Sequence, residues 1–224
     1  MKVFLNPNLC PFQATVSRIF LLGLILSLPR VSEAQTQIFK SNNTTALDQT
    51  GSWVGGVVPT SVNIIAYNNS NTASSTAGIG AGLSSAGILF VTNPGANISI
   101  TAGTGSLGLG TSGIDIQASI NRTLTIGAPI TLNADQTWYT GLTNANTAMI
   151  NANGVISGTA RLSIAGAANS SNQYVLFATN NTFSGGLTLN AGGAVKAGST
   201  NAAVAGAIVQ SNSLGTGPLI INAG

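Results

Sequence analysis

The chain has 224 residues, carries seven Lys and Arg against four Asp and Glu, and is net +3 at pH 7. It contains no His and one Cys, which excludes a disulfide framework and removes the usual base of a hydrolase triad. Charged residues are only 5% of the chain and hydrophobic ones 44%, a balance unlike charge-rich disorder, and the shortage of Leu, Glu, Lys and Arg runs argues against helices.

Residues 1–34 read as a secretion signal. Lys2 and Arg18 supply a basic start, residues 19–28 form an uncharged apolar run, and Ser32-Glu33-Ala34 places small residues at the positions a signal peptidase reads. Pro29 and Arg30 stop the run far short of the roughly 20 residues that a membrane span needs. Cleavage is expected between Ala34 and Gln35. It removes Cys10 together with Lys2, Arg18, Arg30 and Glu33. The remainder keeps Lys40, Arg122, Arg161 and Lys196 against Asp48, Asp115 and Asp135. Such a nearly neutral chain has no basic field for nucleic acid or anionic lipid, so the membrane enters only through export.

Residues 35–85 are expected to form an N-terminal segment and cap, and 86–224 an array of repeats. An apolar-x-apolar pattern followed by small residues recurs as Ile98-Ser99-Ile100, Leu124-Thr125-Ile126, Ile130-Thr131-Leu132, Leu162-Ser163-Ile164, Leu187-Thr188-Leu189 and Leu219-Ile220-Ile221. Alternation puts both apolar side chains on one face of a strand, and the Asn, Ala or Gly that follows suits a sharp corner. Starts at 98 and 124 lie 26 residues apart; those at 130, 162, 187 and 219 are separated by 32, 25 and 32. An all-β solenoid with coils of roughly 25–32 residues and about three short strands per coil accounts for this. An antiparallel β-sandwich is the alternative, but its strands run longer, at about five or six residues, and have no reason to repeat one motif.

Asn181-Thr182-Phe183-Ser184-Gly185-Gly186-Leu187-Thr188-Leu189-Asn190-Ala191-Gly192-Gly193 closely resembles the autotransporter-associated β-strand repeat, which reads Asn, any residue, an aromatic, Ser or Thr, two Gly and a Thr-rich strand. Residues 214–224 look like the segment that follows this repeat. Asn153-Gly154-Val155-Ile156-Ser157-Gly158 resembles the segment that precedes it. Gly51-Ser52-Trp53-Val54-Gly55-Gly56-Val57-Val58-Pro59 resembles the opening of such proteins more loosely, with Asn63 where an acid is expected. The match is strongest over 153–224. The resemblance implies a right-handed parallel β-helix of passenger type, secreted or displayed on the outside of a Gram-negative-type cell, with a structural or adhesive role. A chain that stops on Gly224, at the end of a repeat strand and before any polar cap, is expected to be truncated at its C-terminus.

No catalytic, cofactor-binding or metal-binding residues are expected, and no cofactor. Gly103-Thr104-Gly105-Ser106-Leu107-Gly108 fits the dinucleotide fingerprint, yet Leu109-Gly110-Thr111-Ser112-Gly113 does not open the helix that the fingerprint requires. Parallel β-helices include polysaccharide-active enzymes, so Asp115 and Asp135 are the alternative catalytic acids. Trp138 and Tyr139 are candidate glycan contacts, and Lys40, Arg122, Arg161 and Lys196 are expected as solvated corner residues. Asn42, Asn43, Asn68, Asn97, Asn121, Asn169 and Asn180 head Asn-x-Ser/Thr triplets, which are compositional in a chain so rich in these residues. The partners that fit are surface glycans or other cell-surface proteins.

Overall fold

The computed structural model describes residues 35–72, 76–116, 120–141, 150–166, 174–198 and 213–222. Along them run β1 (Thr36–Phe39), a 3-10 turn at Thr50–Ser52, β2 (Asn63–Tyr67), β3 (Thr76–Gly78), β4 (Leu83–Phe90), β5 (Ile98–Thr101) and β6 (Leu107–Ile116). Then come β7 (Leu124–Ile126), β8 (Ile130–Leu132), β9 (Gln136–Thr140), β10 (Ile150–Ala152) and β11 (Ile156–Gly158). The last are β12 (Leu162–Gly166), β13 (Val175–Phe177), β14 (Leu187–Leu189), β15 (Val195–Ala197) and β16 (Leu219–Ile221).

Every strand ladder among the described residues is parallel. Neighbouring parallel strands need a crossover, and here the crossover is the rest of the coil. One ladder runs β1-β2-β4-β6-β9-β12-β14-β16 and a second β3-β5-β7-β10-β13-β15. The first halves of β4 and β6, followed by β8 and β11, make a third. The chain is therefore an all-β, parallel β-solenoid with three strands per full coil.

The six strands expected from the apolar-x-apolar pattern are all present. Their ladder assignment differs from a single repeating series. Ile130 pairs with Ile156 across the third ladder, a step of 26 residues, whereas Leu162 belongs to the first ladder and pairs with Gln136. The 32-residue interval from 130 to 162 therefore passes from one face to another and is not a coil. The interval from 187 to 219 is a true coil step, since Leu187 pairs with Leu219. The ladder also starts earlier than residue 86: β1 and β2 already stack in register, Ile38 on Ile65.

Alternation along each strand becomes a column across the stack. In the first ladder Ile38, Ile65, Ile88, Ile114, Trp138, Ile164 and Leu189 follow one another on the inside. All but Leu189 are buried, and each such aliphatic side chain contributes about 1.5–3 kcal/mol by leaving water. Ile98, Leu124, Ile150 and Val175 do the same in the second ladder. β16, last in its ladder, has Leu219, Ile220 and Ile221 exposed.

Two features set the corners. Glycines stand where the backbone of the coil below comes too close for a side chain: a Cβ on Gly103 would lie 1.7 Å from Ile79 O, and one on Gly154 2.0 Å from Ala128 O. Asn and Asp side chains bind the backbone of the next coil. Asn97 Oδ1 accepts from Thr123 N at 3.1 Å, and Asp48 accepts from Gly80 N and Ala81 N at 3.0 and 2.9 Å. These bonds supply partners to corner amides that no strand ladder reaches.

Candidate functional site

The sequence-derived candidates separate by face. Trp138 points inward, is fully buried, and donates from Nε1 to Gln136 Oε1 at 2.9 Å. Its ring packs edge-on against Phe177, with centroids 6.3 Å apart. Trp138 is thus a core residue and not a glycan contact, because its place in the column between Ile114 and Ile164 turns its ring away from solvent. Tyr139, its neighbour, points outward and is half-buried.

Tyr139 is in register with Asp115 one coil earlier, and Asp115 with Leu89 one coil before that. Asp115, Tyr139, Ser112, Thr137 and the edge of Ile114 line an open depression of about 360 Å³ on the outer wall. Burial pushes the Asp115 carboxyl above its ordinary pKa. Among the described residues no donor is hydrogen-bonded to it, so desolvation is the only cause acting on it.

Asp135 sits at an exposed corner and accepts from Arg161 N at 2.7 Å through Oδ1. It precedes the partner of Asp115 by four residues, an offset of about 13 Å along the strand direction. A glycosidase needs two carboxyl groups within roughly 5–9.5 Å, across one sugar. Asp115 and Asp135 therefore do not form such a pair. Asp48, the remaining acid among the described residues, lies at an earlier corner, where backbone hydrogen bonds from Ala81 and Gly80 lower its pKa.

The fingerprint segment is accounted for by stacking. Leu107 and Gly108 open β6, a strand where a dinucleotide site needs a helix N-terminus. Gly105 lies where a Cβ would meet Gly82 N at 2.3 Å. A second shallow depression, of about 280 Å³, runs beside it over Ser84, Ser106, Thr131 and Asn133.

The basic residues divide. Arg122 is a corner residue as expected, with Nε donating to Pro94 O at 2.8 Å. Arg161 is exposed, whereas Lys196, also exposed, stands in the middle of β15 and not at a corner, with Nζ 3.7 Å from the centre of the Tyr174 ring. Lys40 departs further, because it is not solvated. It is 2% exposed, and Nζ donates to Ser41 O, Asn43 O and Asn43 Oδ1 at 2.9, 2.7 and 2.9 Å. The 3-10 turn and Trp53 fold back over it, which period-two reading of β1 does not reveal.

Burial lowers the Lys40 pKa to about 8 from 10.5. Between these values the unfolded chain holds a proton that the folded chain has lost, so stability rises as pH climbs through this window. Fully buried Tyr67 is shifted upward from 10.0 by desolvation. Above pH 10 its unfolded phenol ionises and its folded one does not, which lowers stability again. Urea midpoints are expected to increase from pH 8 to about 9.5 and to fall beyond about 10. In Lys40→Met the first increase should vanish; a midpoint that rises equally in this variant contradicts the assignment.

Asn181, the leading Asn of the segment that resembles the repeat, is 1% exposed. Its Oδ1 accepts from Ile156 N at 2.8 Å and its Nδ2 donates to Ser213 O at 2.6 Å, so it joins three successive coils. Asn169 lies outside the described residues, as do 1–34, including Ala34 of the expected cleavage site. The chain divides between Ala34 and Gln35, and Gln35 is exposed. Among the described residues no group of three or more His, Cys, Asp or Glu is placed to hold a metal ion, and no helix is long and apolar enough to cross a membrane. No family model, curated protein or solved structure matches the chain.

Proposed function

We propose that this is an exported, non-catalytic β-solenoid of the autotransporter-associated repeat type, secreted or held on the outside of a Gram-negative-type cell, with a structural and adhesive role. The observation that carries this reading is the constancy of the wall. Aliphatic columns stay inside through successive coils, while Thr76, Ser99, Thr125 and Asn151 follow one another outside in the second ladder. A stack of this kind lengthens without changing its cross-section, and the small, uncharged side chains at these four outer positions bring no repulsion between coils. That suits a stalk that carries binding surface away from its anchor.

The repeat signature supports the same reading because its residues have stacking duties. Phe183 is buried edge-on to Phe177 at 6.4 Å, and Gly186 holds φ of +94° beneath Pro218. The basic start, the apolar run of 19–28 and the small residues at Ser32 and Ala34 support export with residues 1–34 as its signal.

Expression of the full chain in a Gram-negative host tests it. The expected product lies outside the cytoplasm, begins at Gln35 by N-terminal sequencing, and contains no cysteine. A product that keeps Met1 and stays in the cytoplasm overturns export.

A further inference from the structure

The row of the first ladder that points away from its inward column reads Phe39, Ala66, Leu89, Asp115, Tyr139, Ala165 in successive coils; Ala66 in it is buried and the others are half-buried. Coils are spaced by about 4.8 Å, so Asp115 stands between an aliphatic side chain and a phenol ring. The neighbouring row holds Gly87, Gly113 and Thr137. Neither glycine has a side chain to fill the wall beside Asp115, and the glycines are imposed by the backbone: a Cβ on Gly113 would lie 2.1 Å from Thr137 O. The depression over Asp115 is thus a consequence of tight coil stacking at this point.

The chemistry of the depression is specific. A half-buried carboxylate with no donor among the described residues has unused acceptor capacity. Tyr139 offers an outward ring beside it, and Ser112 and Thr137 place hydroxyls at the rim. Among the described residues, no Lys, Arg or second acid lines the depression. The complementary ligand has adjacent hydroxyl donors on one edge, an apolar C–H face on another and no charge. A pyranose has that form. A basic peptide would satisfy one charge here and find no further acid on the wall of the depression.

We propose that Asp115 and Tyr139 form a subsite for one neutral hexose unit of a polysaccharide, with the Asp115 carboxylate accepting two vicinal hydroxyls and the Tyr139 ring covering the C–H face. This rests on the adhesive reading above and gives it a ligand class and a place on the wall. Binding involves no bond making, so one acid is sufficient.

Affinity electrophoresis of the full chain through gels containing hydroxyethyl cellulose, galactomannan or dextran tests the subsite. Retardation is expected by at least one polymer. Asp115→Asn and Tyr139→Ala should each weaken it by about tenfold, as the loss of a charge-assisted hydrogen bond or a stacked ring requires. Tyr139→Phe, which keeps the ring, should stay within about twofold of the parent. Circular dichroism of each variant must match the parent, since both side chains face outward. Unretarded migration in all three gels overturns the subsite, as does retardation that survives both substitutions. Binding of polylysine that Asp115→Asn abolishes, with no retardation by neutral polymers, overturns it in favour of a basic peptide. A chain that is exported and cleaved at Gln35 but binds none of the polymers removes the subsite and leaves export standing.

Discussion

Trp138→Ala is expected to lower the unfolding free energy by about 3–5 kcal/mol, the usual cost of emptying a large buried aromatic site. The residue fills the middle of the longest inward column and is fully buried. Its ring meets Phe177, which in turn meets Phe183, so the aromatic contacts reach from β9 into the coil of the repeat signature. Its Nε1 also holds Gln136 Oε1, while Gln136 Nε2 donates to Leu109 O at 3.0 Å. Truncation therefore leaves a cavity and strips one partner from a buried amide. Trp138→Phe keeps part of the ring volume and should cost about half as much. Urea unfolding followed by near-ultraviolet circular dichroism measures both. Because a solenoid is held by nearest-neighbour interfaces, the Ala variant should unfold less cooperatively, with a smaller m-value. A loss below about 1 kcal/mol would show that Trp138 does not fill the core as described.

Asn181→Leu is expected to cost about 3 kcal/mol even though the side chains are close in volume. The substitution leaves Ile156 N and Ser213 O buried without partners, and each such group costs about 1–3 kcal/mol. Asn181→Asp retains the acceptor for Ile156 N and loses the donor to Ser213 O, while placing a charge in a buried site, so it offers no rescue. The loss should be local. Hydrogen exchange at the Ile156 amide is expected to accelerate in Asn181→Leu, which removes its acceptor, while Ile65 and Ile88 in the early coils keep their protection. Unchanged exchange at Ile156 would remove Asn181 from its role as the link between coils.

How far the fold was legible depends on how local its cause is. Leu124-Thr125-Ile126 reads as a strand on its own, because alternation of one apolar, one polar and one apolar residue is a local property, and the structure buries its two ends. β6 was not legible. Leu107 to Ile116 contains three glycines and opens on the last two residues of the nucleotide fingerprint, yet it runs as the longest strand described. Its backbone is held by β4 below and by β8 and β9 above. The same limit applies to the candidate site. Trp138 and Tyr139 are adjacent, so only one of them can face outward on a strand, but which one follows from the register with Ile114 and Ile164. Lys40 reads as a solvated charge until Trp53 is brought back over it.

Short strands with an apolar inside, corners of small residues and a stack of coils follow from side-chain alternation and backbone freedom within a few residues, and so can be read from the residues alone. Which strands share a ladder is set by contacts between coils, because coil steps vary with corner length and a one-residue change of register turns every side chain to the other face. That register placed Asp115 beside Tyr139, kept Asp135 about 13 Å away along the strand direction, and turned Trp138 into the core.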